Sequence, residues 1–299
     1  MMQNKKFSFY LCLAVFIAFV FFLYGPTITI ILLSFQGPEG GLTFPMNGVS
    51  THWFTKLFEG GGYVDIGAAF RRSLLLGTIV MVLTVVLSVA AGMAFRRRFL
   101  GSDTLFYLTI SSLIVPSIIL SLGIALEFRL LDETIKIIGA KFNIHWILND
   151  FQTSLAMLSS GLGAQLTWTL PFGLLIMFAV FNRFDKSLEE AARDLGASPW
   201  QTFTNVVLPI IGPSILGIAL FGFTLSYDEL ARSSQVMGAT NTLPLELKGL
   251  TTTVTTPVIY ALGTLTTAVS FCAIFIFLSL FLVSRNKANK RLLKEVVPE

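Results

Sequence analysis

The chain has 299 residues, 54% of them hydrophobic and only 13% charged, with a mean hydropathy of +0.76. Soluble domains carry about a quarter charged residues, so this composition excludes a disordered chain, a coiled coil and an ordinary cytosolic enzyme. The net charge of +4, from 21 basic and 17 acidic residues, is read as a sign of orientation in a membrane and not of nucleic-acid binding.

Six long runs contain no Asp, Glu, Lys or Arg: Phe7 to Pro38, Ser73 to Phe95, Thr104 to Leu126, Phe151 to Asn182, Leu195 to Tyr227 and Gly249 to Ser284. The shortest has 23 residues, and a helix of that length covers about 34 Å at 1.5 Å per residue. A hydrocarbon core is about 30 Å thick, so each run holds one spanning helix. The expected spans are 8–34, 72–95, 104–127, 158–181, 210–227 and 258–283, an all-α membrane protein. Strands of a closed barrel would alternate apolar and polar residues, and no such pattern occurs. Lys5 and Lys6 precede the first run, but its length and the lack of a small-residue cleavage pattern favour a retained span over a signal peptide. Cys12 and Cys272 both lie in apolar runs and are read as packing residues.

With the N-terminus inside, the inner segments carry thirteen basic and seven acidic residues, a net +6, and the outer segments a net −2. The positive-inside rule therefore predicts N-in and C-in, with Arg96, Arg97 and Arg98 as the firmest marker. Arg71 and Arg72 fall at the outer end of the second span, where they snorkel to headgroups or pair with acids such as Asp65. Pro116 and Pro171 predict kinks in the third and fourth spans. His52 and His145 each adjoin a tryptophan and read as interfacial anchors.

The segment 183–209 between the fourth and fifth spans is too long to be a bare connector. Ser187 with Glu190 fits a capping box, and Leu188, Ala191, Ala192 and Leu195 form a stripe at helical spacing. Gly196 stands where a left-handed C-terminal cap belongs. A second start follows, with Ser198 as cap, Pro199 at the first helical position and Gln201 completing another box. Pro209 and Pro213 are expected to break or kink the chain at membrane entry. The bland alternative is a helix lying on the inner leaflet. Four acidic residues near the first helix (Asp185, Glu189, Glu190, Asp194) argue against anionic lipid as its partner.

The string Glu190-Ala191-Ala192-Arg193-Asp194-Leu195-Gly196, with Leu208-Pro209 following, closely resembles the EAA signature of the inner-membrane permease subunits of binding-protein-dependent ABC importers. The resemblance extends from about Trp53 to Val283. It implies a type I importer permease fold in which this loop is a coupling helix docking into the ATP-hydrolysing subunit. The implied docking residues are Ser187, Glu190, Ala191, Ala192, Arg193, Asp194, Leu195, Gly196 and Ala197. Also implied are an ATPase dimer holding ATP and Mg2+, a second permease subunit and an extracytoplasmic solute-binding protein. No cofactor is expected in this chain, which has no phosphate-binding Gly-x-x-x-x-Gly-Lys-Ser/Thr loop and no hydrolase motif. The implied division is 1–68 for the first span and outer loop, 69–284 for a five-span core, and 285–299 for a basic tail.

Ionisable residues at the ends of spans suggest a solute pathway. Glu127, Asp228 and Glu229, near Trp168 and Tyr227, would form an acidic mouth with aromatic faces, suited to a cation. Against this, Glu127 can pair with Arg129, and Asp228 and Glu229 with Arg232. The stretch from Phe223 to Leu230, then Gly238 and Leu243-Pro244-Leu245, resembles the spermidine/putrescine branch. Permeases for phosphonates, opines or other small polar solutes share much of this pattern. The rival class, a stand-alone secondary transporter or channel, predicts internal repeats, and no convincing repeat is present.

Overall fold

A computed structural model describes residues 2–59, 65–97, 99–253 and 256–296. Arg98 lies outside the described residues, as do the side chains of Lys5, Lys6 and the basic tail. Among the described residues the secondary structure is helical, apart from one isolated bridge between Gln36 and Val49. In chain order the helices are α1 (Met2–Leu33), α2 (His52–Phe58), α3 (Ile66–Phe95), α4 (Ser102–Ser111), α5 (Ser117–Phe142) and α6 (His145–Asn149). They continue as α7 (Leu162–Asn182), α8 (Ser187–Asp194), α9 (Pro199–Thr202), α10 (Leu208–Tyr227), α11 (Leu243–Thr253) and α12 (Val258–Val296).

Five helical stretches of the described residues are long and apolar enough to cross a membrane: Ser8–Leu33, Ile66–Phe95, Met157–Asn182, Pro199–Tyr227 and Val258–Ile276. The expected third span, 104–127, is not one helix. It is broken between α4 and α5, with Pro116 at the cap of α5. Proline supplies no amide to the carbonyl of Ser112 and keeps Val115 out of helical geometry, so the helix stops one turn earlier. The helix that restarts runs on to Phe142, through much of the segment expected to be an outer loop. Pro171, in contrast, stays inside an unbroken α7.

At Pro209 and Pro213, where a break or a kink is expected, the chain does not break. The chain remains helical from Pro199 to Tyr227, with a π-helical turn at Phe203–Val207. The carbonyl that Pro209 cannot serve belongs to Asn205, within that wider turn, so the proline is absorbed without ending the helix.

The chain divides into two units. One comprises Met1–Ile66 with Leu247–Cys272, and the other Gly67–Glu246 with Ala273–Glu299. In the first, the buried Gln36 organises the turn after α1. Its Nε2 donates to the carbonyls of Gly41 and Thr43, and its Oε1 accepts the Asn47 amide at 2.8 Å. The Tyr260 hydroxyl donates to the Leu42 carbonyl at 2.9 Å.

In the second unit α3, α7 and α10 form the core. Met177, Phe181, Val207, Ile211 and Ile218 are its buried centre. Lipid is as apolar as leucine, so close packing and small residues hold such helices together more than burial does. Gly92 illustrates this: a methyl group there would lie 2.7 Å from Met177 Cβ and 2.9 Å from the Phe181 ring. Shared hydroxyls add a polar seam, with Thr84 and Thr169 oxygens 2.7 Å apart.

Candidate functional site

The segment between α7 and α10 folds as two short, separately capped helices. At the start of α8 the expected Ser187–Glu190 box is not formed. Instead Asp185 accepts the Ser187 amide at 3.0 Å, and the Lys186 carbonyl accepts the amides of Glu189 and Glu190. The carboxylate two residues upstream reaches the first free amide, which places Ser187 within the helix. Hydrogen bonds from the Ser187 amide and hydroxyl hold the Asp185 carboxyl below the usual carboxylate range.

The end of α8 is as expected. Gly196 has φ +85°, its amide donates to Arg193 at 2.8 Å, and the Ala197 amide donates to Ala192 at 3.0 Å. These are the two bonds of a Schellman cap. The second helix opens on a complete capping box: Gln201 Oε1 accepts the Ser198 amide at 2.8 Å and Ser198 Oγ accepts the Gln201 amide at 3.3 Å.

The predicted apolar stripe is turned away from the protein. Leu188 is 45% and Leu195 90% exposed, with Ala191 also exposed and Ala192 half-buried. Glu190, Arg193 and Asp194 are exposed around it, and Ala197 is half-buried. Glu189 faces the other way, into the membrane helices, where Arg96 at the end of α3 meets it at 2.6 Å. The Arg96 guanidinium also lies 5.1 Å from the ring centres of both Phe181 and Phe184. The sequence marked Arg96 only for its charge; its partner is 93 residues away, and no local pattern announces it.

At the far end of α10 the acidic residues are brought near a second arginine. Asp228 is exposed, while Glu229 Oε1 accepts the Arg232 backbone amide at 2.8 Å. The Arg232 side chain is fully buried and turns elsewhere. It donates to Ser117 Oγ at 3.3 Å, Thr167 Oγ1 at 2.5 Å and the Ser112 carbonyl at 3.0 Å, and its guanidinium lies 4.8 Å from the Trp168 ring centre. One aromatic face expected for a solute is therefore taken by a side chain of the protein. Ser121 Oγ closes the cluster by donating to the Arg232 carbonyl at 2.8 Å. Tyr227 is buried, stacked on Phe223. Glu127 is exposed on α5, and no ion pair joins it to Arg129 among the described residues.

The loop after α10 is further tied down by Arg72, whose Nε donates to the Asn241 carbonyl at 2.7 Å, and by Ser73 Oγ, which accepts the Leu243 amide at 2.8 Å. Gln165 joins Ser226 of α10 to Ser233 of the loop.

Residues 84–286 match the family described as binding-protein-dependent transport system inner membrane component. The chain belongs to this family. The permease is thus a multi-pass inner-membrane protein, and the matched region contains α8 and the helices on either side of it. It is 27% identical to the spermidine/putrescine transport system permease protein PotC of Haemophilus influenzae, over 85% of this chain and 89% of that protein. It is 28% identical to the putrescine transport system permease protein PotI of Escherichia coli, over 92% and 90%. Among solved structures, the permease resembles a bacterial ABC transporter involved in import of the acidic polysaccharide alginate, with TM-score 0.67 and 14% identity over 93% of this chain and 96% of that one. A second alginate transporter structure, in complex with a periplasmic protein bound to an alginate pentasaccharide, gives TM-score 0.62 at 16% identity over 95% and 96%. At these identities the likeness is one of fold.

Proposed function

We propose that the chain is the membrane-spanning subunit of a polyamine importer that is driven through α8 by a separate ATPase. The observation that carries this reading is the arrangement of α8. Both ends of the loop element are capped, Glu189 is anchored to the membrane helices, and Leu188 and Leu195 are left facing outward. An exposed apolar stripe on a short rigid helix suits a groove on another protein. A capped element of this kind carries movement that a flexible linker would dissipate.

In this account ATP and Mg2+ are held by an ATPase dimer, this chain provides no catalytic group, and a second permease subunit completes the pathway. A solute-binding protein delivers from the extracytoplasmic side, with both termini of the permease in the cytoplasm. Closure of the ATPases moves α8 and reorients the pathway. The states must differ in their affinity for nucleotide and for the binding protein, since only differential affinity shifts such an equilibrium.

The polyamine assignment is supported by the relatives' names and by the exposed Asp228 at the end of α10; Glu127, expected at the end of a span, is exposed within α5 instead. Asp228 is the residue best placed to meet a cation, because Glu229 is engaged by the Arg232 amide. The assembled complex in vesicles, supplied with its binding protein, is expected to accumulate labelled putrescine only with ATP, and unlabelled spermidine should compete. Competition by phosphonates or opines in place of spermidine reassigns the solute. Accumulation without ATP removes the importer reading altogether.

A further inference from the structure

The geometry points to Arg96 and Glu189 as the internal transmission link of the permease, the pair through which movement of α8 reaches the membrane helices. The inference rests on the reading of α8 as the docking element and adds a positioning role that the docking face does not contain.

Several independent observations converge on this pair. Arg96 closes α3, Glu189 lies on the inward side of α8, and their charged atoms are 2.6 Å apart with side chains only 11% and 13% exposed. The same guanidinium is covered by Phe181, in the last turn of α7, and by Phe184 just beyond it, at 5.1 Å each. One side chain therefore ties together α3, α7 and the docking helix. Charge-assisted bonds shielded from water are strong and directional, so a displaced Glu189 carries Arg96 with it. The competing partner, Arg193, is 54% exposed and 3.9 Å from Glu189, a weak surface pairing by comparison.

Space around the link allows it to move. An open cleft of about 250 Å3 borders Arg96 and is lined also by Gly92 and Phe178. Another of about 560 Å3 borders both Arg96 and Glu189 and is lined also by Met93, Arg97, Lys186 and Glu190. A solidly packed joint would lock α8 to the bundle, whereas this one is held by an ion pair and two ring faces. Glu189 and Glu190, adjacent in sequence, thereby take separate tasks. Glu190 is exposed beside the apolar stripe, and Glu189 holds the helix from behind.

The test compares Arg96→Gln, Glu189→Gln and Arg96→Lys with the parent chain in the assembled transporter. Three readouts are taken: retention of the ATPase subunit on purification, ATP hydrolysis, and putrescine uptake per ATP hydrolysed. Both glutamine variants should retain the ATPase within about twofold of the parent, yet lose uptake per ATP by tenfold or more. Arg96→Lys, which keeps the charge, should recover most of that loss. Unchanged uptake per ATP in both glutamine variants overturns the inference. So does loss of the ATPase subunit in both, because the pair would then only keep the docking helix folded. Failure of the docking reading looks different: the parent chain itself would not retain the ATPase.

Discussion

Gly196 has φ +85°, and the two bonds that close α8 both depend on that turn. A side chain in left-handed geometry costs about 1–2 kcal/mol. Gly196→Ala should therefore fray the last turn of α8, seen as faster amide exchange at Leu195–Ala197 while the amides of α7 stay protected. Asp132 provides a pH-dependent counterpart. Burial alone would raise its carboxyl, but bonds from Ser154 and Thr153 outweigh burial and hold it below the ordinary value of 3.8. A depressed carboxylate stabilises the fold fully above its unfolded value, and the effect is lost as pH falls through the folded one. Protection of the Ser154 amide, which donates to Asp132 at 2.8 Å, should persist from pH 7 to about 4 and decline only below that. Asp132→Asn should remove this dependence. Among the proposed solute contacts, Asp228→Asn should raise the KM for putrescine severalfold in transport assays and leave thermal stability unchanged.

At the scale of elements, the third span shows what a sequence pattern conveys and where it stops. Pro116 is visible, and a kink follows from it, but a full break between α4 and α5 does not. A break exposes carbonyls that must find donors elsewhere, and the Ser112 carbonyl finds one in Arg232. That donor lies 120 residues along the chain and in sequence looks like a simple partner for Asp228 or Glu229. Removing it takes a donor from the Ser112 carbonyl, Ser117 Oγ and Thr167 Oγ1, all half-buried, and a group left with no partner away from water costs about 1–3 kcal/mol. Arg232→Gln should accordingly lower the unfolding temperature of the detergent-solubilised protein clearly, and increase proteolysis between α4 and α5. The caps of α8 and α9 were legible for the opposite reason. Ser198 with Gln201 and Gly196 with Arg193 find their partners within a few residues, so spacing alone specifies them. Asp185 shows the limit even there: the sequence pattern put the cap at Ser187, and Asp185, two residues upstream, accepts the Ser187 amide instead.

For the whole molecule, the charge deficit located five of the six expected membrane segments as single helices, and the family match placed them in an importer permease. Which faces meet lipid and which meet protein was not legible, since an apolar surface serves both. Helix α1 makes the point, because its apolar surface is exposed along its length, with Phe9, Phe16 and Phe22 among the residues that carry it. The links that would make the permease a machine are tertiary: Arg96 with Glu189, and Arg232 with the broken third span. The central claim is that α8 is the surface on which an ATPase acts. The most direct measurement is retention of the ATPase subunit by the purified permease pair when Leu188 and Leu195 are both changed to Asp. The account predicts that retention falls by tenfold or more while the chain still inserts in the membrane and α3, α7 and α10 remain packed. Full retention, with ATP-dependent putrescine uptake unchanged, would contradict it.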